Sequence, residues 1–267
     1  ATVWPFDTPC PELREGTDDA PLTGAEIDTF KQKLAAWRET LRDYSGYRLD
    51  LRGANLQRAD LSAKRPDAAD AVFSGALLQG ARMAGAVLHR ARMEGADLRG
   101  TRMEGADFLG ARMEGAVLTE AGMEGAELVG ARMEGAFLFG ARMEGAVLIE
   151  ARMEGAILWE ARMAGAVLSR ARMEGADLSR ARMDSSTDLE TAMLQGAALR
   201  DVDYSDVPIT AEQIKSAFGD ASVILPEGMD RPAHWPDWEL DPNTFTTEWR
   251  KWQADPATYT PPAKPEA

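Results

Sequence analysis

The chain has little with which to do redox or metal chemistry. Its 267 residues include one cysteine, Cys10, and two histidines, His89 and His234. A single thiol excludes an internal disulfide framework and any site built from several cysteines. Cys10 stands in a proline-containing lead with no base beside it and reads as an unreactive thiol. The histidines lie roughly 145 residues apart, without ligand spacing. No phosphate loop or nucleophile elbow occurs, because the glycines obey a different rule. No stretch approaches the roughly 20 apolar residues of a membrane span. Aromatic residues make up only 7% of a chain that is 45% hydrophobic, so any core must be thin and uniform. The net charge of -14 argues against non-specific adhesion to nucleic acid or to an anionic membrane. Together these absences point away from an enzyme, a cofactor or a metal centre.

What is present is repetition, which takes precedence over any helix or strand reading. From Ala71 to Ser185 a residue that is almost always Ala recurs every five positions. Two places after it comes a large apolar residue: Met83, Leu88, Met93, Leu98, Met103, Phe108 and onward to Met183. That stretch holds 23 pentapeptides without a slip. Three more units precede it, centred on Leu51, Leu56 and Leu61. Four follow one extra residue at Ser186, centred on Leu189, Leu194, Leu199 and Tyr204. A period of five fits neither a helix nor a long flat strand. It fits a short strand plus a corner, with the small and the large residue, two apart, on the same side. Stacked coils of such units satisfy one another's backbone through parallel ladders about 4.8 Å apart. The period leaves the number of sides per coil open.

Ala54-Asn55-Leu56 and Ala59-Asp60-Leu61 resemble the consensus of the pentapeptide-repeat family. The resemblance implies an all-β solenoid, a right-handed quadrilateral β-helix of four pentapeptides per coil. About seven coils then make a rod of roughly 35 Å. On that frame the chain divides into an irregular lead (1–22), an N-terminal capping helix (23–48) and the β-helix (49–206). A break at 64–70 and the extra residue at 186 interrupt the β-helix. A C-terminal capping helix (207–225) and a Trp- and Pro-rich tail (226–267) follow, the tail expected to be disordered from Pro256.

The finer unit is ten residues, Ala-Arg-Met-Glu-Gly followed by Ala-x-Leu-x-x, so Met and Leu units take alternate faces. Every Met unit from Gly85 to Gly175 ends in glycine, as a type II turn needs at its third residue. The Leu units end in Gly, Glu or Arg, and their corners are expected to bend differently. Every twentieth residue on one Met face is arginine, from Arg92 to Arg172, beside glutamates from Glu94 to Glu174. The opposite face repeats this with gaps at Gly122, Ala84 and Ala164. Such columns read as a self-neutralising, solvated ladder worth about 0–1 kcal/mol per pair.

One Leu face instead gathers apolar side chains: Val117, Phe137, Phe139, Ile157 and Trp159, bracketed by Asp97 and Arg99 below and Asp177 and Ser179 above. The other carries a milder strip of Leu109, Val129, Val147, Ile149 and Val167. A polar-rimmed aromatic block marks an interface. Three readings stay open: it binds another protein or a second copy, it is covered by the chain's own tail, or it is tolerated exposure. The tail supplies Trp235, Trp238, Trp249 and Trp252, and at about 3.3 Å per residue it is long enough to run along the whole rod. Asn243 to Gln253 reads as a short helix showing Phe245, Trp249 and Trp252.

At the flanks, Thr23 and Glu26 form a capping box opening a helix to about Tyr44, with an apolar stripe of Ile27, Phe30, Leu34, Trp37, Leu41 and Tyr44. It is expected to cover the first coil, since solenoid ends need protection. A second helix from Thr210 to Gly219 is expected to plug the last coil with Ile214 and Phe218. The resulting expectation is a non-catalytic structural scaffold or protein-interaction module, its partner a protein or a second copy. The resemblance implies an alternative, a DNA-mimicking binder, inhibitor or protector of DNA gyrase or another DNA-binding enzyme. Against that alternative, residues 71–206 hold 15 basic and 21 acidic side chains, a net of only -6, and the rest of the charge lies in the flanks. Direct nucleic-acid binding and cofactors are not expected. Neither is a membrane span, although a chain opening Ala1-Thr2-Val3 without Met leaves room for an upstream signal or anchor. The expected location is cytoplasmic, with membrane association in a longer precursor as the alternative. The stretches Leu225-Pro-Glu-Gly-Met and Arg231-Pro-Ala-His234-Trp235 resemble the tails of bacterial, often proteobacterial, pentapeptide-repeat proteins, and some relatives have membrane-spanning parts ahead of the repeats.

Overall fold

A computed structural model describes residues 52–58, 61 and 70–265. The lead with Cys10, the helix expected over 23–48 and most of the break at 64–70 lie outside the described residues. From Ala71 onward the chain is a solenoid. Parallel bridges join Leu77 to Asp97, Asp97 to Val117, Val117 to Phe137 and Phe137 to Ile157, always 20 residues on. A 20-residue coil of five-residue units has four sides. Each outward residue both donates and accepts between rungs: Phe137 N donates to Ala116 O at 2.9 Å, and Leu118 N donates to Phe137 O at 2.7 Å. The inward residues, such as Ala131, Met133, Ala136 and Leu138, have no exposure. Each buried Leu or Met contributes about 1.5–3 kcal/mol of transfer free energy, and the alanines let opposite sides approach.

The corners are β-turns: Ala136 N donates to Met133 O at 3.0 Å, and Gly135 between them has φ +64°. The corners of the Leu units bend the same way, contrary to expectation. Glu120, Glu150, Glu160, Arg170 and Arg180 all hold φ between 56° and 58°. The turn geometry is common to every side, and non-glycine residues accept a left-handed backbone at about 1–2 kcal/mol each. Several of them stack into ion pairs between coils: Arg170 Nη1 lies 2.8 Å from Glu150 Oε1, and Arg180 lies between Glu160 at 3.3 Å and Asp201 at 3.0 Å. Nothing lies within 4 Å of a Cβ built on Gly135. A Gly135→Ala substitution therefore tests backbone conformation alone, and we expect a loss of about 1 kcal/mol in urea unfolding.

The extra residue at 186 shifts the register from 20 to 21, so Val167 pairs with Asp188. The solenoid then continues past residue 206. β1 (Ala198–Leu199) pairs in parallel with β2 (Phe218–Gly219), and Asp203 pairs with Ile224. The segment 207–225 is thus a further coil, in which α1 (Ala211–Ser216) replaces part of the circuit. Thr210 and Gln213 form a capping box at its start, and Gln213 Nε2 donates to Leu189 O and Ala192 O, the carbonyls of the coil below. Ile214 is buried in the solenoid core, but Phe218 is not the plug expected beside it. Paired with Ala198, it occupies an outward position. Gly219, expected to end the helix, stands where a Leu would point inward, and a Cβ there would meet the Trp235 ring at 2.8 Å. Trp235, 3% exposed, fills that place and donates from Nε1 to Ala217 O at 2.8 Å.

The tail then folds over the outward face of the last coils rather than running along the rod. α2 (Pro242–Ala254), capped by Asp241, buries Phe245 and Trp252 with Leu240 against Phe218 and Ala198. Residues 257–265 adjoin this packing. The Tyr259 ring lies 5.8 Å from Phe218, and Trp238 Nε1 donates to Pro262 O at 3.3 Å. Because Trp235 completes the core where Gly219 cannot, Trp235→Ala is expected to cost about 3–5 kcal/mol and lower the melting temperature measured by calorimetry.

Candidate interaction surface

The Arg and Glu columns form a continuous zigzag on one Met face. Glu94 Oε1 lies 3.1 Å from Arg92 Nε and 3.0 Å from Arg112 Nε. Glu114 bridges Arg112 and Arg132 at 3.4 and 2.9 Å, and Glu134 bridges Arg132 and Arg152 at 3.4 and 3.0 Å. The Nε–H groups of Arg112, Arg132 and Arg152 make no aligned hydrogen bond, so proximity of charge rather than directed bonding holds this ladder. Across the rod the gap at Gly122 is filled. Arg142 reaches over it, with Nε 2.6 Å from Glu124 and Nη2 3.9 Å from Glu104. A Cβ on Gly122 would lie 2.6 Å from that guanidinium, so this glycine serves close approach and not a turn. Both Met faces therefore present short-range, mutually screened charge.

The two Leu faces differ. Phe137 is 49% exposed, while Val117, Phe139, Ile157 and Trp159 are half-buried beside it. The Phe139 and Trp159 rings meet edge to face with centroids 5.4 Å apart, and the Arg180 guanidinium lies 5.8 Å above Trp159. Below the block, Asp97 and Arg99 pair at 2.6 Å. On the opposite face Leu109 is exposed, and Val129, Val147, Ile149 and Val167 are half-buried.

The structure separates the aromatic block from the tail. Phe218 and Ala198, which seat α2, continue the column of Phe137 and Ile157, so block and tail share a face but occupy different coils. Trp249 Nε1 and Gln253 Nε2 both donate to Gly196 O at 2.8 Å. Trp235 lies in the solenoid core, Trp252 in the outer cluster, and Trp238 and Trp249 at that cluster's margin. Sequence reasoning missed how polar groups finish the last rung. Ala217 O has no further coil above it and accepts from Trp235 Nε1 and from His234 Nε2 at 2.9 Å. Arg231 donates to Asp220 O and Val223 O. The neighbouring Arg231, His234 and Trp235 were the available signal. His89, the other histidine, contacts Asp107 on the neighbouring coil.

His234 stacks on Trp252 with centroids 5.0 Å apart, and desolvation holds its pKa below the usual imidazole value, with the bond to Ala217 O acting weakly the other way. The docked tail therefore prefers neutral His234. A released tail binds the proton more readily, so docking is complete above pH ~6.5 and weakens as pH falls below it. Amide exchange over residues 231–254 is expected to quicken at pH 5 relative to pH 7.5 beyond its intrinsic pH dependence. His234→Gln should flatten that difference.

Among the described residues no helix is long and apolar enough to cross a membrane, and no three His, Cys, Asp or Glu side chains converge as a metal-binding group. Residues 69–184 match the family model described as pentapeptide repeats, in eight copies over 69–105, 102–135, 126–158 and 146–184. Among solved structures, the chain is similar to HetL of the cyanobacterium Nostoc sp. strain PCC 7120, a pentapeptide repeat protein involved in heterocyst differentiation regulation. That match has 26% identity, covers 76% of this chain and 98% of HetL, and has a TM-score of 0.44. It is also similar to a trypsin-treated variant of QnrB1, a plasmid-mediated fluoroquinolone resistance protein, at 23% identity over 58% of this chain and 77% of that one, with a TM-score of 0.47. No curated protein matches the chain.

Proposed function

We propose that this chain, which belongs to the pentapeptide-repeat family by residues 69–184, is a non-catalytic interaction module whose contact surface is the aromatic Leu face. The observation that carries the reading is Phe137, half exposed at the centre of a row in which Val117, Phe139, Ile157 and Trp159 are half-buried and polar groups form the rim. The inward positions of the coil are filled, mostly by Ala, Leu and Met with Phe73, Phe108 and Tyr204 among them, so the solenoid offers partners its outside and not an interior cavity. Interface cores take this form, an apolar centre inside a polar margin. The tail is read as an end cap: Trp235, His234 and Arg231 occupy the edge of the last coil, which parallel ladders leave unpaired. The expected helix over 23–48 is proposed for the opposite end.

Mimicry of duplex DNA has weaker support. The glutamates from Glu94 to Glu154 on one Met face each lie within 4 Å of arginines on two coils, so that face lacks the unbroken negative stripe a DNA-binding enzyme would recognise. The test is Phe137→Ser in the full chain, a change outside the core. Association with a protein partner captured from the native host, or self-association in sedimentation velocity, should fall at least tenfold with the melting temperature unchanged. Equal capture by both forms, with identical sedimentation, would remove this face from the reading.

A further inference from the structure

On one face of the solenoid the ladder opens between two rungs that are themselves paired. On the face that runs Arg142, Arg162, Arg182, each residue bridges the next, and above them Asp203 bridges Ile224. Arg182 and Asp203 do not bridge. The rule of this fold, seen in Arg162 N to Ala141 O and Met143 N to Arg162 O, requires Asp203 N to donate to Ala181 O and Met183 N to donate to Asp203 O. Neither bond exists among the described residues. The cause lies in the extra residue. Here the Asp184 carboxylate, instead of its backbone carbonyl, accepts from Gly165 N at 3.1 Å, and it also accepts from Ser186 N at 3.0 Å. The two rungs part, although the corner beside them stays closed by Arg180 N to Arg200 O at 2.8 Å.

A cleft of about 480 Å³ occupies the opening, lined by Glu160, Arg180, Arg182, Met183, Asp201 and Asp203. That volume falls in the range of sites that hold small ligands or short segments. The cleft adjoins the aromatic block, because Arg180 lines it and also lies over Trp159, whose neighbour Glu160 lines it too. Arg182 on the lower lip and Asp203 on the upper lip have no ion-pair partner within 4 Å among the described residues, the Asp203 carboxylate accepting from Ser205 N at 2.9 Å, so the lips carry opposite charges without a salt bridge. Unpaired backbone N–H groups facing a cleft are what an added strand satisfies in β-augmentation, with side-chain specificity supplied alongside.

We propose that the open rung and the aromatic block form one site for an extended peptide segment of a partner protein. This rests on the reading of the aromatic face as an interface. The peptide's backbone carbonyls accept from Asp203 N and Met183 N at the lips, and its apolar side chains lie on Trp159, Phe139 and Phe137. An acidic peptide side chain beside Arg182 and a basic one beside Asp203 complete the charge match. The ladder specifies the occupant: only an extended backbone presents carbonyls at the spacing of a missing rung.

The experiment uses the full chain as bait for a phage-displayed library of random linear dodecapeptides, with binding of the enriched peptides measured by fluorescence anisotropy. Two variants separate the parts of the site. Asp203→Pro removes an N–H that makes no backbone bond, together with the bond from Ser205 N to the carboxylate, while the bonds from Ile224 N to Val202 O and from Tyr204 N to Ile224 O remain. It should keep the melting temperature and weaken the peptides about tenfold, as Phe137→Ser should. Asp203→Asn, which keeps the N–H, should weaken them less than Asp203→Pro. Loss with Phe137→Ser but not with Asp203→Pro would overturn the open-rung site and leave the aromatic interface standing. A self-associating chain that enriches no peptide would also overturn the proposal, and would assign the face to a second copy. A large fall in melting temperature with Asp203→Pro would show that its N–H is bonded in solution, which overturns the premise.

Discussion

Everything in this molecule depends on the hydrogen bonds that pass from one coil to the next. An outward residue on each side donates downward and accepts from below, and no side can satisfy its own backbone. A coil is therefore stable only between two others or beneath something that imitates one. This single requirement fixes the repeat length, since a slip of one residue would turn inward side chains out. It also decides where the chain departs from regularity. Gln213 stands in for a missing strand by bonding to Leu189 O and Ala192 O, and His234, Trp235 and Arg231 stand in for a missing coil at the end.

Because the interior is filled by the same few residue types on every rung, variation is confined to outward positions and corners. On the Met faces that variation is suppressed, and Arg and Glu alternate so closely that their fields cancel within a few ångströms. On the Leu faces it is released, and apolar side chains gather around Phe137. Corners show a third pattern. Several left-handed Glu and Arg residues stack a coil away from a partner of opposite charge, as Glu150 does with Arg170, while Glu120 holds the same backbone without one among the described residues.

The solenoid, its alternating faces and the outward aromatic block were legible in the sequence because each follows from position within a fixed period. Phe137 and Ile157 had to share a column once the coil was known to be 20 residues long. The conformation of the Leu corners was not legible, since glutamate and arginine in a turn give no sign of positive φ. Gly122 looked like a gap because the reach of Arg142 spans two coils and leaves no trace at position 122. Phe218 was misplaced because its helix-like surroundings hid its true phase, set by pairing with Ala198.

Residue identity at intervals of five, ten and twenty determined by itself the coil, the burial of Ala, Leu and Met, and the charge on each face. Local repetition is enough for this, because every unit meets the same neighbours. Tertiary structure alone decided how the repetition ends and where it fails. Trp235 reached the space above Gly219, α2 settled on Phe218, and Arg182 and Asp203 were left apart. These outcomes come from contacts between segments that share no period, and only the folded chain sets the distances between them.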